Sequence, residues 1–232
     1  MRAILLSAGY GTRLAPLTNH TPKCLVPIKG YPLLGYWLDL LLPQHIEKVL
    51  INTHYLPDLV DDYLRDHKYA SLVETAYEEK LLGTAGTILS NKDFLDKSDF
   101  FVAHADNLTK FNFKDFIDAH NRRLDFVEIT MMTFDSDVPS SCGIVVENPD
   151  GIVLQFFEKV ENPPSRRANA AVYIMSRNVL DFIGTINKDV IDISVDIIPN
   201  FLGKIQTFHN NQYHRDIGTP ESLALANNEF IK

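Results

Sequence analysis

The chain is predicted to adopt an α/β fold in which a doubly wound, mainly parallel mixed sheet carries helices on both faces. Three observations support this fold class. Short apolar runs of strand length alternate with stretches whose apolar residues recur at helical spacing. Such alternation is typical of βαβ units, since parallel strands need a long crossover between them. A glycine-rich loop directly follows the first apolar run, where sheets of this class bind ligands.

Strands and helices alternate through the first half of the chain. The predicted strands are residues 3–6, 48–53, 72–76, 100–104 and 127–134. The predicted helices between them are residues 33–42, 59–65, 85–94 and 113–122. The second half is richer in strands, which are predicted at 143–147, 153–158 and 170–175. A last helix is predicted to start at Pro220, with Thr219 as its N-cap.

Composition and charge narrow the class of protein. The chain has 232 residues, of which 45% are apolar and 22% charged, and its net charge is −8. A negative chain of this kind does not favour nucleic acid as a partner. Two cysteines are too few for a disulfide framework, and the first apolar run is too short for a signal peptide or a membrane span. We therefore expect a cytoplasmic protein with no membrane or nucleic-acid partner, folded as one domain over residues 1–232.

The glycine-rich loop after the first predicted strand indicates a bound polyphosphate. Gly9 and Gly11 lack a Cβ, so backbone N–H groups can approach phosphate oxygens closely. Arg13 and Lys23 add a fork of donors and a point charge for the same ligand. The pattern of a Walker loop is absent, and Leu14 stands where a dinucleotide-binding turn needs a small residue. The combination predicts a nucleotide site of another kind.

The segment that carries this loop resembles the opening of the sugar-1-phosphate nucleotidylyltransferases, which join an NTP to a sugar 1-phosphate and release pyrophosphate. The matching residues run from Leu5-Leu-Ser-Ala-Gly-Tyr-Gly-Thr-Arg-Leu14 to Thr21-Pro-Lys-Cys-Leu-Val-Pro-Ile28. Further matches follow in the family's order: Leu82-Gly-Thr-Ala-Gly86, Ala105-Asp106, Cys142-Gly-Ile-Val145, Glu158-Lys159, Asn169-Ala-Ala171 and Asp216-Ile-Gly-Thr-Pro-Glu221. The resemblance implies the family's Rossmann-like fold. Because the chain ends at Lys232, we expect it to lack the left-handed β-helix domain that many relatives append.

The resemblance also assigns roles to the residues that match these motifs. The catalytic residues would be Arg13, Lys23 and Asp106. The nucleotide would be bound by Leu6, Ala8, Gly9, Gly11, Thr12, Arg13, Lys23, Glu79, Gly83 and Thr84, although Glu79 and its neighbour Glu78 fit equally well as surface charges. The sugar phosphate would be bound by Asn107, Gly143, Glu158, Lys159 and Asn169, with Lys159 on the phosphate. Residues 1–110 would then be mainly the nucleotide-binding half and residues 111–232 mainly the sugar-phosphate-binding half.

By the same resemblance the enzyme would need Mg²⁺, for which Mn²⁺ is a possible substitute. Asp106 and Asp216 match the metal-binding aspartates of the family, and carboxylates suit these hard cations. Two carboxylates that converge without a cation would repel each other and the triphosphate. We therefore expect both side chains to lie beside the loop of Gly9 to Arg13, where they would bind one metal ion or two.

Four positions depart from the family pattern: Ala105 and Ala171 stand where Gly is usual, Val160 where Pro is usual, and Cys142 where Tyr is common. These departures leave the reaction class unchanged, but they leave the identity of the sugar open.

The stretches 21–28 and 78–86 resemble the mannose-1-phosphate guanylyltransferase branch of the family, and this resemblance implies GTP and a mannose-type sugar 1-phosphate as substrates. Two alternatives stay open. The chain could be a cytidylyltransferase, or another nucleotidylyltransferase, that acts on phosphocholine or another non-sugar phosphate. It could also be a non-catalytic regulator that binds NDP-sugars. The sequence is compatible with a monomer or a homodimer.

Overall fold

A computed structural model describes residues 1–42, 46–96 and 98–231 of the chain. Its strands are β1 (Ala3–Leu6), β2 (Pro27–Ile28), β3 (Tyr31–Pro32), β4 (Val49–Thr53), β5 (Val73–Tyr77), β6 (Phe100–His104), β7 (Asn107–Lys110), β8 (Ile129–Asp135), β9 (Gly143–Glu147), β10 (Val153–Glu158), β11 (Arg167–Met175), β12 (Ile205–His209) and β13 (Tyr213–Asp216). Its α-helices are α1 (Leu33–Leu41), α2 (Pro57–Arg65), α3 (Thr84–Ser90), α4 (Phe113–Asn121), α5 (Arg177–Ile183) and α6 (Pro220–Glu229).

Each strand and helix predicted from the sequence is present, with ends that differ by a few residues. The largest difference is in α3, predicted to reach residue 94 but ending at Ser90. Its end is set by Asn91, whose side-chain amide donates to the carbonyl of Thr87 at 2.9 Å and caps the last turn. The sequence analysis missed the short elements β2, β3, β7, β12, β13 and α5.

The chain divides into two compact units, each built from separate stretches of sequence. Unit 1 comprises Met1–Leu81, His104–Lys110 and Tyr213–Lys232, and unit 2 comprises Leu82–Ala103 and Phe111–Gln212. Their boundaries differ from the predicted halves, 1–110 and 111–232, because each unit takes in a stretch from the other half. The binding roles assigned to those halves stay predictions.

Unit 1 is built on the parallel strands β1, β4 and β5. Leu5 lies opposite Ile51 in one pair, and Ile51 lies opposite Thr75 in the next. Every residue of β1 and β4 is buried, as expected of parallel strands that are covered on both faces. Unit 1 also contains the antiparallel pair β7–β13 and the small hairpin β2–β3.

An apolar cluster of unit 1 includes residues of β7 and α6. Its buried members are Leu14, Val26, Ile28, Leu33, Leu108, Ile217, Ala226 and Phe230. Leu108 lies in β7, and Ile217 directly follows β13. Leu108 lies two residues after Asp106 and Ile217 directly after Asp216, so the cluster fixes the backbone next to both aspartates.

Unit 2 contains an antiparallel arrangement around the long strand β11. This strand pairs with β6, β8 and β9, while β10 pairs with β9 and β12 runs parallel to β8. The register of β11 against β8 shifts between Asn169 and Tyr173, which marks a bulge. Phenylalanine rings from β6 and α4 pack edge to face in the core, with Phe101 and Phe113 at a centroid distance of 5.5 Å.

The predicted fold class is confirmed: the protein has a mixed α/β fold with helices packed on its strands. Among the described residues, no helix is both long enough and apolar enough to cross a membrane.

Candidate active site

The loop after β1 has the compact, irregular backbone that its glycines and prolines predict. Gly11 adopts a left-handed conformation with φ of 65°. A Cβ at this position would lie 3.0 Å from Thr18 Cγ2 and 3.1 Å from Lys23 Cβ, and the Thr18 hydroxyl donates to the Gly11 carbonyl at 2.8 Å. Glycine is therefore needed at position 11 both for the backbone conformation and for the close approach of Lys23.

The centre of the candidate site in unit 1 is Lys23, whose ammonium lies between two carboxylates. Its Nζ donates to Asp106 Oδ2 at 2.5 Å and to Asp216 Oδ1 at 3.1 Å. On the other side of Asp216, Arg13 Nη2 lies 3.7 Å from Oδ2. The Lys23 side chain is only 9% exposed, whereas the Arg13 side chain is 67% exposed. The buried cation thus joins both acids, and the exposed cation lies beside Asp216.

Charge and burial shift the pKa values of Lys23 and Asp106 in opposite directions. Burial would lower the pKa of Lys23, but the carboxylates of Asp106 and Asp216 outweigh it and hold that pKa above its ordinary value. Burial would likewise raise the pKa of Asp106, and the Lys23 ammonium together with His104 holds it below its ordinary value. The ion pair is therefore charged on both sides over the physiological pH range.

Strand pairing explains how two aspartates so distant in sequence come together. Asp106 precedes β7 and Asp216 ends β13, and in this antiparallel pair Asp216 lies opposite Asn107. The backbone N–H of Ile217 donates to the Asp106 carbonyl at 3.2 Å, which continues the pairing past the strand ends. Trp37 Nε1 holds β7 from α1 through a 2.9 Å hydrogen bond to the Asn107 carbonyl.

The two carboxylates fit a magnesium ion. Since both hold the same Lys23 nitrogen, their oxygens are close enough to share one hydrated cation. The described parts of the chain contain no cluster of three or more His, Cys, Asp or Glu side chains suited to a metal. One or two carboxylates are what Mg²⁺ uses when the phosphates of a substrate and water complete its coordination.

Glu78, rather than its neighbour Glu79, is the buried acid near the end of β5. Its side chain accepts a hydrogen bond from Asn52 Nδ2 at 2.9 Å, and the Asn52 oxygen accepts from the backbone N–H of Ser7 at 2.7 Å. Glu79 is exposed. The family resemblance implies Glu79 as the nucleotide-binding acid, but sequence alone does not reveal which of two adjacent acids turns inward after a strand.

The remaining predicted residues divide between the two units. Unit 1 holds Leu6, Ala8, Gly9, Gly11, Thr12, Arg13, Lys23, Glu79, Asp106, Asn107 and Asp216, and unit 2 holds Gly83, Thr84, Gly143, Glu158, Lys159 and Asn169. In unit 1, Leu6, Ala8 and Asn107 are buried and Thr12 is exposed.

In unit 2, Gly83 and Thr84 form the start of α3 and are tied to the segment around Asp192. Gly83 has φ of 80°, and a Cβ there would lie 2.5 Å from the Ile191 carbonyl oxygen. The Thr84 hydroxyl donates to Asp192 Oδ2 at 3.0 Å and accepts from the backbone N–H of Ile193 at 2.7 Å. The glycine permits this close approach, and the threonine fixes it.

The predicted sugar-side residues of unit 2 lie on β9, β10 and β11. Gly143 is opposite Glu158, and a Cβ on Gly143 would lie 2.7 Å from Glu158 Oε2. Lys159 Nζ lies 3.4 Å from Glu158 Oε1, and the Lys159 side chain is exposed. At the bulge of β11, Asn169 Nδ2 donates to the hydroxyl of the buried Tyr173 at 2.6 Å. Tyr173 was treated only as part of a strand in the sequence analysis, although its polar hydroxyl orients Asn169.

Comparison with known proteins identifies relatives of the chain. The chain is 30% identical over 235 residues to the mannose-1-phosphate guanylyltransferase of Mycobacterium tuberculosis, an alignment that covers 99% of this chain and 64% of that protein. It is also 30% identical over 239 residues to the bifunctional protein GlmU of Methanococcus maripaludis, covering 100% of this chain and 54% of that protein. The chain thus spans less than two thirds of the length of these relatives.

Solved structures share the fold. HddC from Yersinia pseudotuberculosis, in a crystal structure with GMP-PN, superposes with a TM-score of 0.81 at 27% identity, over 99% of both chains. A Bacillus anthracis protein in complex with sucrose superposes with a TM-score of 0.88 at 22% identity, covering 100% of this chain and 98% of that one. The profile of the nucleotidyl transferase family matches residues 2–232, nearly the whole sequence. The chain belongs to the nucleotidyl transferase family.

Proposed function

We propose that the protein transfers a nucleotidyl group from an NTP to a sugar 1-phosphate and releases pyrophosphate. The observation that carries this proposal is the cluster of Lys23, Asp106, Asp216 and Arg13 beside the loop of Gly9 to Gly11. The reaction brings two anions together, so its site needs cations and hydrogen-bond donors more than it needs a strong base. The cluster supplies cations, and it supplies acids that suit a metal ion.

In this proposal the residues of unit 1 bind the triphosphate. Backbone N–H groups of the loop and the exposed Arg13 guanidinium contact the phosphates, and Lys23 turns from the carboxylates toward the charge that develops during transfer. The sugar phosphate attacks the α-phosphorus in line, and no protein nucleophile is needed. Mg²⁺, held by Asp106 and Asp216, would neutralise phosphate charge when bound.

The residues of unit 2 take the sugar phosphate. Lys159 is an exposed cation at the end of β10 and is suited to the phosphate, while Glu158 and Asn169 offer acceptors and a donor to sugar hydroxyls. A Cβ at position 143 would collide with the Phe156 ring and with Glu158 Oε2, so glycine lets the backbone pass close to the Glu158 carboxylate. We infer a single nucleotidyltransferase domain in which unit 1 serves mainly the nucleotide. A cytoplasmic location and a monomeric or homodimeric state stay predictions from the sequence.

GTP and a mannose-type sugar 1-phosphate are the substrates we favour. Two kinds of observation support the base. Relatives at 30% identity bear the name of mannose-1-phosphate guanylyltransferases, and HddC was solved with GMP-PN. The buried Glu78 carboxylate lies in unit 1 near the loop, held by Asn52. A carboxylate only accepts hydrogen bonds, so it suits guanine, whose N1–H and 2-amino groups are both donors.

Pyrophosphate release across four NTPs and a panel of phosphates tests the proposal. We expect the highest kcat/KM with GTP and mannose 1-phosphate, a loss of several-fold to a hundredfold with another base, and no activity in EDTA until Mg²⁺ or Mn²⁺ is restored. A preference for another NTP would overturn the base assignment alone. Turnover of phosphocholine in place of sugar phosphates would identify the acceptor as a non-sugar phosphate. Binding of NDP-sugars without turnover would identify a non-catalytic regulator.

A further inference from the structure

The end of β4 and the segment that follows it contact the glycine-rich loop and the residue before it, Ser7, within unit 1. Asn52 accepts from the backbone N–H of Ser7 and, through its own carbonyl, from the Ser7 hydroxyl at 2.6 Å. Two residues further on, His54 Nε2 lies 2.7 Å from the hydroxyl of Tyr10. Tyr10 lies between Gly9 and Gly11, in the middle of the loop.

The other ring nitrogen of His54 faces the backbone of Glu78, the residue after β5. His54 Nδ1 lies 2.7 Å from the backbone carbonyl of Glu78. Because a carbonyl oxygen only accepts, Nδ1 carries the proton, and in the neutral ring Nε2 is then the acceptor. The Tyr10 hydroxyl therefore donates to His54, which donates to Glu78. This chain of two hydrogen bonds connects the loop with the residue after β5.

Tyr10 adds side-chain contacts to a part of the loop where glycine has none. The Gly11 carbonyl is held by the Thr18 hydroxyl, whereas a Cβ built on Gly9 would meet no atom within 4 Å. The Tyr10 ring, by contrast, packs edge to face on His54 at a centroid distance of 5.2 Å and lies 5.5 Å from the Tyr55 ring. The half-exposed side chain of Tyr10 thus ties the Gly9 end of the loop to His54 and Tyr55.

We propose that His54 is a positioning residue. Through Tyr10 it holds the backbone amides of the loop in place for the triphosphate, and through Glu78 it fixes the distance between these amides and the residue that contacts the base. The proposal rests on the proposed function, since it assumes that the loop binds phosphates and that Glu78 contacts the base. Neither His54 nor Tyr10 needs to touch the reacting atoms. Their effect would be on the geometry with which the nucleotide is presented, and not on the binding of the sugar phosphate.

Steady-state kinetics of Tyr10→Phe, His54→Ala and the double variant test this proposal, with Tyr55→Phe as the matched control. Tyr55 belongs to the same ring cluster, but its hydroxyl donates to the Asn19 carbonyl at 3.2 Å, outside the loop. We expect Tyr10→Phe to lower kcat/KM for the NTP by about threefold to tenfold, the range of one neutral hydrogen bond. The KM for the sugar phosphate should stay within about twofold, and Tyr55→Phe should behave as wild type.

The double variant distinguishes an effect of Tyr10 that acts through His54 from independent structural effects of the two substitutions. If Tyr10 acts through His54, adding Tyr10→Phe to His54→Ala should change kcat/KM little further. Multiplied losses, or an equal loss in Tyr55→Phe, would overturn the proposal. The Kd of the NTP, measured by calorimetry on Tyr10→Phe and wild type, reports on the loop without turnover. Wild type that binds NTP but lacks turnover would contradict the proposed function alone, whereas an unchanged Kd and an unchanged kcat in Tyr10→Phe would contradict the positioning role alone.

Discussion

At the scale of single residues, Lys23 is the side chain on which the candidate site depends. Its ammonium is the cation that lets Asp106 and Asp216 converge. A metal ion bound by Asp106 and Asp216 would compete with the Lys23 ammonium for the position between the two carboxylates. Each of the two cations neutralises the same negative charges. Release of Lys23 toward the phosphates and entry of a metal would therefore go together.

Lys23→Met tests this competition, since it keeps the length of the side chain and removes its charge. Without metal the variant should lose about 0.5–2 kcal/mol of unfolding free energy, because the half-buried Asp106 carboxylate would face the more exposed Asp216 carboxylate uncompensated. Addition of Mg²⁺ should raise the Tm of the variant more than that of wild type, and the kcat measured with Mg²⁺ should fall. Thermal unfolding with and without Mg²⁺ measures the effect. Equal Tm shifts in both proteins would contradict a shared cation position.

Ala171 shows how a departure from the family pattern is tolerated. It lies at the bulge of β11 with φ of 53°, a left-handed conformation that a residue with a Cβ adopts at a cost. The Asn169 side chain holds it there by accepting from the Ala171 N–H at 2.9 Å. The family's usual glycine would relieve this strain.

Ala171→Gly should therefore raise the free energy of unfolding by about 0.5–1 kcal/mol, the strain relieved less the greater freedom of glycine in the unfolded chain. Ala170→Gly is the matched control: this neighbour is buried, is not among the residues with positive φ, and should lose stability. Urea unfolding of both variants gives the comparison. A destabilised Ala171→Gly would show that the Cβ of Ala171 packs more favourably than its backbone is strained.

At the scale of elements, the turn between β13 and α6 sets the geometry of the ion pairs. A Cβ on Gly218 would lie 2.7 Å from Asp216 Oδ2 and 2.9 Å from Arg13 Nη2. Gly218→Ala should thus push Asp216 and Arg13 apart and lower kcat by about tenfold to a hundredfold, as small misplacements of such groups do. The Tm should change little, since both groups are largely exposed.

Asn228→Ala, on the exposed face of α6, is the control and should keep full activity. A fully active Gly218→Ala would show that the pair is not needed in this geometry.

The elements that sequence predicts well are those whose apolar pattern is long or continuous. Strands β1 and β4 are apolar runs buried along their whole length, and they appear where expected. The pair β7 and β13 was missed because each strand has only four residues and carries polar side chains at most positions. These two short strands are the ones that bring Asp106 and Asp216 together.

The same limit applies to the candidate site. Resemblance to a family identified the aspartates and the lysine as separate motifs, but no motif indicates that Lys23 lies between the acids. That contact depends on the register of β7 against β13 and on the close packing of Lys23 on Gly11. Likewise Glu78 and Glu79 differ only in which way each side chain turns after β5, a matter decided by Asn52 on the neighbouring strand.

At the scale of the whole molecule, stability at mildly acidic pH depends on histidines that are buried in the neutral form. His120 in α4 has no solvent exposure and bonds to Thr130 in β8 and to Asp99. Burial lowers its pKa below 6.5, an effect that the Asp99 carboxylate offsets only in part and the Arg123 guanidinium reinforces. The Asp99 pKa is itself held below 3.8, chiefly by the hydrogen bond to His120, so this carboxylate is protonated only at much lower pH.

The fold should therefore lose stability as the pH falls below about 6.5, because the unfolded chain then takes up a proton at His120 that the folded chain does not. Each pH unit within that window costs up to about 1.4 kcal/mol. His120→Gln, which cannot take up the proton, should have a shallower dependence of unfolding free energy on pH between pH 7.5 and 5.5, whatever its absolute stability. His20→Gln, at an exposed position, should keep the wild-type slope. Urea titrations at several pH values give these slopes. Other buried histidines contribute equally to wild type and variant, so the difference between the two slopes is the contribution of His120. Identical slopes would mean that His120 is protonated in the folded protein and stabilised there by Asp99.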